Sequence, residues 1–129
     1  MTDAKSEWAR CRPWIVKAVK YTAGMYEIGD VEKAIEDGTM IFIPGKYSAV
    51  VLEVASYPNG KALNVFLGGG ENGKAIDEYL TKMDACIVAL AKSSDCRWIT
   101  HYTRASGERI GERIGYRKQW TVMIKEVGA

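Results

Sequence analysis

The residues best placed to do chemistry in this 129-residue chain are glycines. Gly68, Gly69, Gly70 and Gly73 fall within six positions, between a strand-like run and a helix-like one. Without a Cβ they leave backbone amides open to an anion, and a following helix N-terminus adds partial positive charge. Asn72 and Lys74 share the stretch, so phosphate or pyrophosphate is the ligand it suits, although it matches no P-loop or dinucleotide fingerprint. Further on, Gly107 to Gly115 repeats Gly-Glu-Arg-Ile with a period of four. On a helix this stacks Arg109 over Arg113 and Ile110 over Ile114. Each interior glycine costs a helix about 1 kcal/mol relative to alanine, so close packing or a ligand should offset it. Together with Arg104, these arginines form a second candidate phosphate-binding group.

Other chemistries find little support. Cys11, Cys86 and Cys96 are odd in number, widely spaced and form no C-x-x-C pair, and His101 is the only histidine. A zinc site needs about four such ligands. Buried, reduced thiols are the expectation, which implies a reducing compartment and no cysteine nucleophile. A net charge of +2 argues against nucleic acid, although Trp98, Tyr102, Arg104, Tyr116, Arg117 and Trp120 interleave aromatic with basic character. The N-terminal residues are polar and the apolar runs short, so a soluble cytoplasmic protein without a membrane partner is expected.

These groups need a frame to hold them. Trp8, Cys11, Ile15, Ala18, Val19 and Thr22 recur at helical spacing, with Pro13 tolerable near the first turn; a second helix begins at Asp30 and ends at Gly38. Met40 to Ile43, Tyr47 to Ser56 and Ala62 to Leu67 read as strands joined by Pro44-Gly45 and by Tyr57-Pro58-Asn59-Gly60. Leu63, Val65 and Leu67 should share one sheet face, opposite Asn64 and Phe66. A flexible loop from Gly68 to Gly73 follows. Ile76, Tyr79, Leu80, Met83, Ile87 and Leu90 then form the clearest helical stripe. Arg97 to Thr103 is a strand, Ala105 to Ile114 a short helix, and Trp120 to Val127 a final strand. The fold class is α/β (α+β): one domain over 1–129, with a mixed, mostly antiparallel sheet of about six strands flanked by helices.

From Lys61 to Val127 this order resembles the GNAT superfamily of N-acyltransferases. "ALAKSSDCRWITHYTR" is similar to that family's helix end, turn and next strand; "GERIGYRKQWTVMIKEV" is similar to its closing segment. Leu67-Gly68-Gly69 and the late Gly115-Tyr116 resemble more narrowly the small GNAT-like proteins of tailed phages and prophages. The resemblance implies acetyl-CoA as cofactor and a small-molecule or protein amine as acceptor. It implies a cofactor site of Leu67, Gly68, Gly69, Gly70, Asn72, Gly73 and Lys74, with Arg104 for the 3′-phosphate, where the strand of Leu63 to Leu67 splays from that of Trp98 to Tyr102. The sequence departs from the family where Glu71 stands in the pyrophosphate loop. It departs again at Gly111, which occupies the place of the usual tyrosine acid. Acyl transfer needs a base for the amine and an acid for the thiolate. Glu53 and His101 are the candidate bases, Tyr102 and Tyr116 the candidate acids. The alternative is a catalytically degenerate, phage-encoded binding or assembly factor with a phage or host protein partner, in the host cytoplasm or the virion.

Overall fold

The computed structural model describes residues 3–128. Helix α1 (Ala4–Val19) opens at Asp3, whose carboxylate accepts from the Ser6 amide at 2.7 Å and caps the first turn. Pro13 lies well inside α1 rather than near its start. It supplies no amide to the Ala9 carbonyl, and packing of Cys11, Ile15 and Val19 holds the helix across that gap. Helix α2 (Ile28–Glu36) begins two residues before the expected Asp30. Asp30 sits in its first turn and accepts from the Glu27 amide at 2.8 Å, half of a capping box.

Strands β1 (Ile41–Pro44), β2 (Ser48–Tyr57), β3 (Gly60–Gly70) and β4 (Cys96–His101) form one sheet in the order β1-β2-β3-β4. The first three are antiparallel neighbours, and β4 runs parallel to β3. Between β3 and β4 the chain crosses over through α3 (Ala75–Glu78), a π-helical turn (Tyr79–Met83) and α4 (Asp84–Ser93), which are contiguous. Helix α5 (Ala105–Glu112) follows β4. No helix of the described residues is long and apolar enough to cross a membrane.

The sheet is covered on both faces. On one, Cys11, Ile15, Val19, Val31 and Met40 pack with Ala49, Val51 and Leu67. On the other, Met83, Ile87 and Ala91 pack with Val50, Leu52, Leu63 and Val65. Leu67 thus lies on the face opposite Leu63 and Val65, contrary to simple alternation. The cause is a bulge: Val51 pairs with Leu67 and Leu52 with Val65, which leaves Phe66 as an extra residue on β3. One extra residue reverses the facing of everything beyond it.

Four other expectations change. Gly68, Gly69 and Gly70 belong to β3, paired with Val50, Ala49 and Ser48, and are not part of a flexible loop. Among the described residues the sheet has four strands rather than about six. Trp120 to Val127 forms no strand, because no neighbour offers it a ladder. Cys86 is exposed and Cys96 half-buried, so only Cys11 fits the reading of a buried thiol.

Candidate functional site

Strands β3 and β4 stay paired from Lys61 and Cys96 as far as Val65 and His101, and the Tyr102 amide then donates to the Val65 carbonyl at 3.1 Å. Beyond that bond the strands part. β3 continues to Gly70, paired only with β2, so its edge from Phe66 onward is open. The gap leads to the start of α3, and the faces on either side of it carry different chemistry.

On the α1 and α2 side, Glu53, Asn64 and Thr100 are register partners in one row across β2, β3 and β4. Thr100 Oγ1 donates to Asn64 Oδ1 at 2.9 Å, and Asn64 Nδ2 donates to Glu53 Oε1 at 3.3 Å. Asn64 is almost fully buried, so it holds the half-buried Glu53 carboxylate in place. Two residues on, about 7 Å along the strands, come Phe66 and Tyr102, with ring centroids 6.3 Å apart. Tyr26 packs edge-on against Phe66 at 4.8 Å. Burial, together with Tyr57, Glu53 and Tyr26 nearby, raises the Tyr102 hydroxyl above its ordinary value.

On the other side His101 lies beneath the π-helical turn, its Nδ1 2.8 Å from Tyr79 Oη. Tyr116 packs against the same imidazole at 5.8 Å between centroids. Burial drives the His101 pKa down to about 4 and pushes Tyr116 up to about 12, the latter helped by Asp84. His101 is therefore neutral and Tyr116 protonated at physiological pH. Tyr116 Oη is buried without a hydrogen-bond partner among the described residues. The four candidate catalytic residues thus divide into two pairs, Glu53 with Tyr102 and His101 with Tyr116, on opposite faces of the sheet.

A histidine depressed in the folded state contributes stability in full above its unfolded pKa of about 6.5 and loses it as the pH falls towards 4. The expected loss is about 3 kcal/mol between pH 7 and pH 4. His101→Gln can still accept from Tyr79 but cannot be protonated, and should flatten that slope. Urea unfolding of both proteins at several pH values measures it; parallel pH profiles would show that His101 does not titrate in this way.

The β3–α3 junction carries the anion-binding features. The Glu71 amide donates to the Tyr47 carbonyl at 2.8 Å, and the Glu71 carbonyl accepts from the amides of Lys74 and Ala75 at 3.2 and 3.0 Å. Among the described residues the amides of Asn72 and Gly73 donate to no backbone carbonyl. Gly73 adopts φ +82°, a left-handed conformation, with open space where a Cβ would stand. Gly73, Lys74, Asp77, Leu80, Thr81 and Arg113 border an open cleft of about 510 Å³. Lys74 Nζ lies 3.8 Å from Glu71 Oε1 and 4.8 Å from the Tyr47 ring centroid, so Glu71 is already paired.

The remaining candidate residues lie elsewhere. Leu67 is in the α1-side core. Gly69 is crowded by the Trp14 backbone, and Gly70 by Tyr47, Ser48 and Ala75. Arg104 stacks on Tyr21 at 3.8 Å. The arginine that reaches the cleft is Arg113, from the end of the Gly-Glu-Arg-Ile repeat. Within that repeat the Gly111 backbone lies beside the Tyr116 side chain, where an added Cβ would make ordinary contacts of 3.4 to 3.7 Å.

Glu78 escaped the sequence reading. It accepts from Ser48 Oγ at 2.6 Å and from the Lys46 and Tyr47 amides at 3.0 Å, tying the β1–β2 turn to the helix that starts the cleft. Burial raises its carboxyl, but the hydrogen bonds from Ser48, Tyr47 and Lys46 outweigh burial and hold it below the usual carboxylate range. A Glu three residues into a helix signals nothing without knowledge of the turn it reaches.

No protein-family model and no curated protein sequence matches the chain. Solved structures do. A probable acetyltransferase superposes with a TM-score of 0.69 at 11% identity, over 98% of this chain and 97% of that one. A GNAT family acetyltransferase from Staphylococcus aureus gives a TM-score of 0.62 at 10% identity, over 98% and 95%. An aminoglycoside N-acetyltransferase in complex with CoA gives 0.65 at 10% identity, over 95% and 88%. The parted parallel strands, the antiparallel strands before them and the crossover helix at the gap make a mixed α/β scaffold. The particular fold is that of the GNAT acetyltransferases.

Proposed function

We propose that this protein binds acetyl-CoA or a related acyl-CoA and transfers the acyl group to an amine. The observation that carries this reading is the gap between β3 and β4, which leads from an open strand edge to the unengaged amides of Asn72 and Gly73. These amides, with Lys74 and Arg113, would hold the pyrophosphate. The pantetheine would lie along the free edge of Phe66 to Gly70, with the thioester near Phe66 and Tyr102.

Glu53 and Tyr102 then form the working pair, since both occupy the face beside the gap. The Glu53 carboxylate takes a proton from the acceptor ammonium, directly or through water, and the freed amine attacks the thioester carbonyl carbon. As the C–S bond breaks, Tyr102 or solvent protonates the departing thiolate, and the second proton lost from the attacking nitrogen returns to Tyr102 or passes to solvent. His101 and Tyr116 support the fold beneath the crossover helix. Lys74, 3.8 Å from Glu71, partly offsets the charge that Glu71 brings beside the phosphates.

Titrating the purified protein calorimetrically with acetyl-CoA, with desulfo-CoA as control, tests the binding half. Glu53→Gln tests the chemistry. It should lower kcat by about 10²-fold or more while leaving the acetyl-CoA Kd unchanged. No binding at millimolar ligand would favour the alternative, a GNAT-fold binding or assembly factor, phage-encoded or otherwise. Equal kcat in Glu53→Gln and the parent would remove Glu53 from the mechanism.

A further inference from the structure

Helices α1 and α2 cover one end of the sheet face that carries Glu53, packing over Ala49, Val51 and Leu67. Towards the β2–β3 turn the same face continues through Glu53, Ala55 and Tyr57 on β2. Across β3 it carries Trp98, Thr100 and Tyr102. Tyr57 stands about 14 Å along the strands from Glu53 on one side, and Tyr102 about 7 Å on the other. Both rings are open to solvent, at 47% and 56% exposure. Tyr57, Glu53 and Tyr26 are all neighbours of the Tyr102 hydroxyl, so the phenol groups converge on the carboxylate. Between Tyr57 and Glu53 the row Ala55–Ala62 brings only methyl groups from β2 and β3. The Trp98 ring reaches towards Gly60, 3.3 Å from its Cβ position. Phe66 stands at 80° to Tyr102 and Tyr26 at 60° to Phe66, which makes a corner of ring faces and edges rather than a stack.

The charge on this face is one-sided. In the row Glu53–Asn64–Thr100 the carboxylate is held by an amide, with no lysine or arginine beside it. Among the described residues Glu53 forms no ion pair. The two arginines of 96–104 already lie on rings, Arg97 over Trp98 at 4.6 Å and Arg104 over Tyr21 at 3.8 Å. A carboxylate without a counter-ion, set among exposed rings, attracts an organic cation by its charge and by the ring quadrupoles together. It repels a ligand that brings a carboxylate or phosphate of its own.

We propose that the acceptor is a small organic ammonium ion with an apolar skeleton and no anionic group. Its charge lies at Glu53 and its skeleton between the rings of Tyr57 and Tyr102. That this amine is acylated rests on the acyl-transfer reading; that the cation binds does not.

The test is titration of the full chain, followed by NMR at constant ionic strength, with tetramethylammonium, phenethylammonium and two controls. Tert-butyl alcohol is the neutral counterpart of the first, and phenylalanine adds a carboxylate to the skeleton of the second. Both cations should bind with a Kd on the order of 1 mM and shift the resonances of Glu53, Tyr57, Phe66 and Tyr102. Each control should bind about tenfold more weakly. Glu53→Gln, which can still accept from Asn64, should weaken both cations roughly tenfold, and Tyr57→Leu roughly threefold. Cations that bind no better than their controls, or equally to the parent and Glu53→Gln, overturn the proposal. Adding acetyl-CoA separates it from the acyl-transfer reading. Phenethylamine that binds but is never acetylated upholds the cation site and refutes acyl transfer. Acetylation of phenylalanine in preference to phenethylamine overturns the cation site and upholds acyl transfer.

Discussion

Gly73→Asp weakens acetyl-CoA binding by roughly two orders of magnitude, whereas Gly73→Asn leaves it within about threefold. The two side chains have nearly the same shape, and both tolerate left-handed backbone better than other L residues. Gly73 sits at φ +82° with nothing within 4 Å of the Cβ position, so either substituent fits without displacing a neighbour. Any strain is thus shared, and the difference between the variants is one negative charge at the mouth of the cleft. Placed about 6 Å from a pyrophosphate at an effective dielectric near 20, that charge costs about 3 kcal/mol. Calorimetric titration at physiological salt and again near 1 M salt checks the cause as well as the size. The gap between Asp and Asn should narrow sharply as the Debye length shortens from about 8 to 3 Å. Equal affinities for Asp and Asn would mean that no phosphate approaches Gly73. The proposed cofactor path would then be wrong at its first contact.

The order of elements was legible because it rests on local periodicity. Ile76 to Leu90 reads as a helix at any level of description, and Tyr47 to Ser56 as a strand. Features that depend on pairing were not. The bulge at Phe66 moves Leu67 to the other face, and nothing in Leu63-Asn64-Val65-Phe66-Leu67 announces an extra residue. Trp120, Val122 and Ile124 carry a strand's pattern, but a strand exists only where an edge accepts it, and here the chain does not bring its own edge to them. Among the candidate site residues, Glu53 and Tyr102 could be named from residue type. Their shared face could not, since it follows from the row Glu53–Asn64–Thr100, whose contacts span 11 and 36 positions. The same register sends His101 to the opposite face, where burial rather than catalysis sets its pKa.

Gly70→Ala should be the most destabilising single-carbon change in the glycine run, at about 3 kcal/mol, with Gly68→Ala near neutral and Gly69→Ala between them. All three residues lie on β3 in extended backbone, so the ranking comes from what an added Cβ would meet. At Gly68 it would make ordinary contacts, 3.5 Å from Val50 Cγ1 and 3.7 Å from the Ala49 carbonyl. At Gly69 it would press on the Trp14 carbonyl oxygen at 2.9 Å, where α1 crosses the strand, and α1 can move slightly as a body. At Gly70 it would collide with the Tyr47 carbonyl oxygen, with Ala75 Cβ at 2.6 Å and with Ser48 Cα at 2.9 Å. None of these is the far end of a flexible side chain. The Tyr47 carbonyl is moreover held by the Glu71 amide, and the turn behind it is tied down by Glu78. Urea unfolding of the three variants reads the ranking through the transition midpoint. If Gly70→Ala is too unstable to purify, Gly70→Ala with Ala75→Gly removes one of the three collisions. The pair should then be less destabilised than the sum of its single changes. A Gly68→Ala variant as unstable as Gly70→Ala would refute the packing account. If the ranking holds, two of the four clustered glycines serve the close approach of α1, β2 and α3, and contact with an anion falls to Asn72 and Gly73.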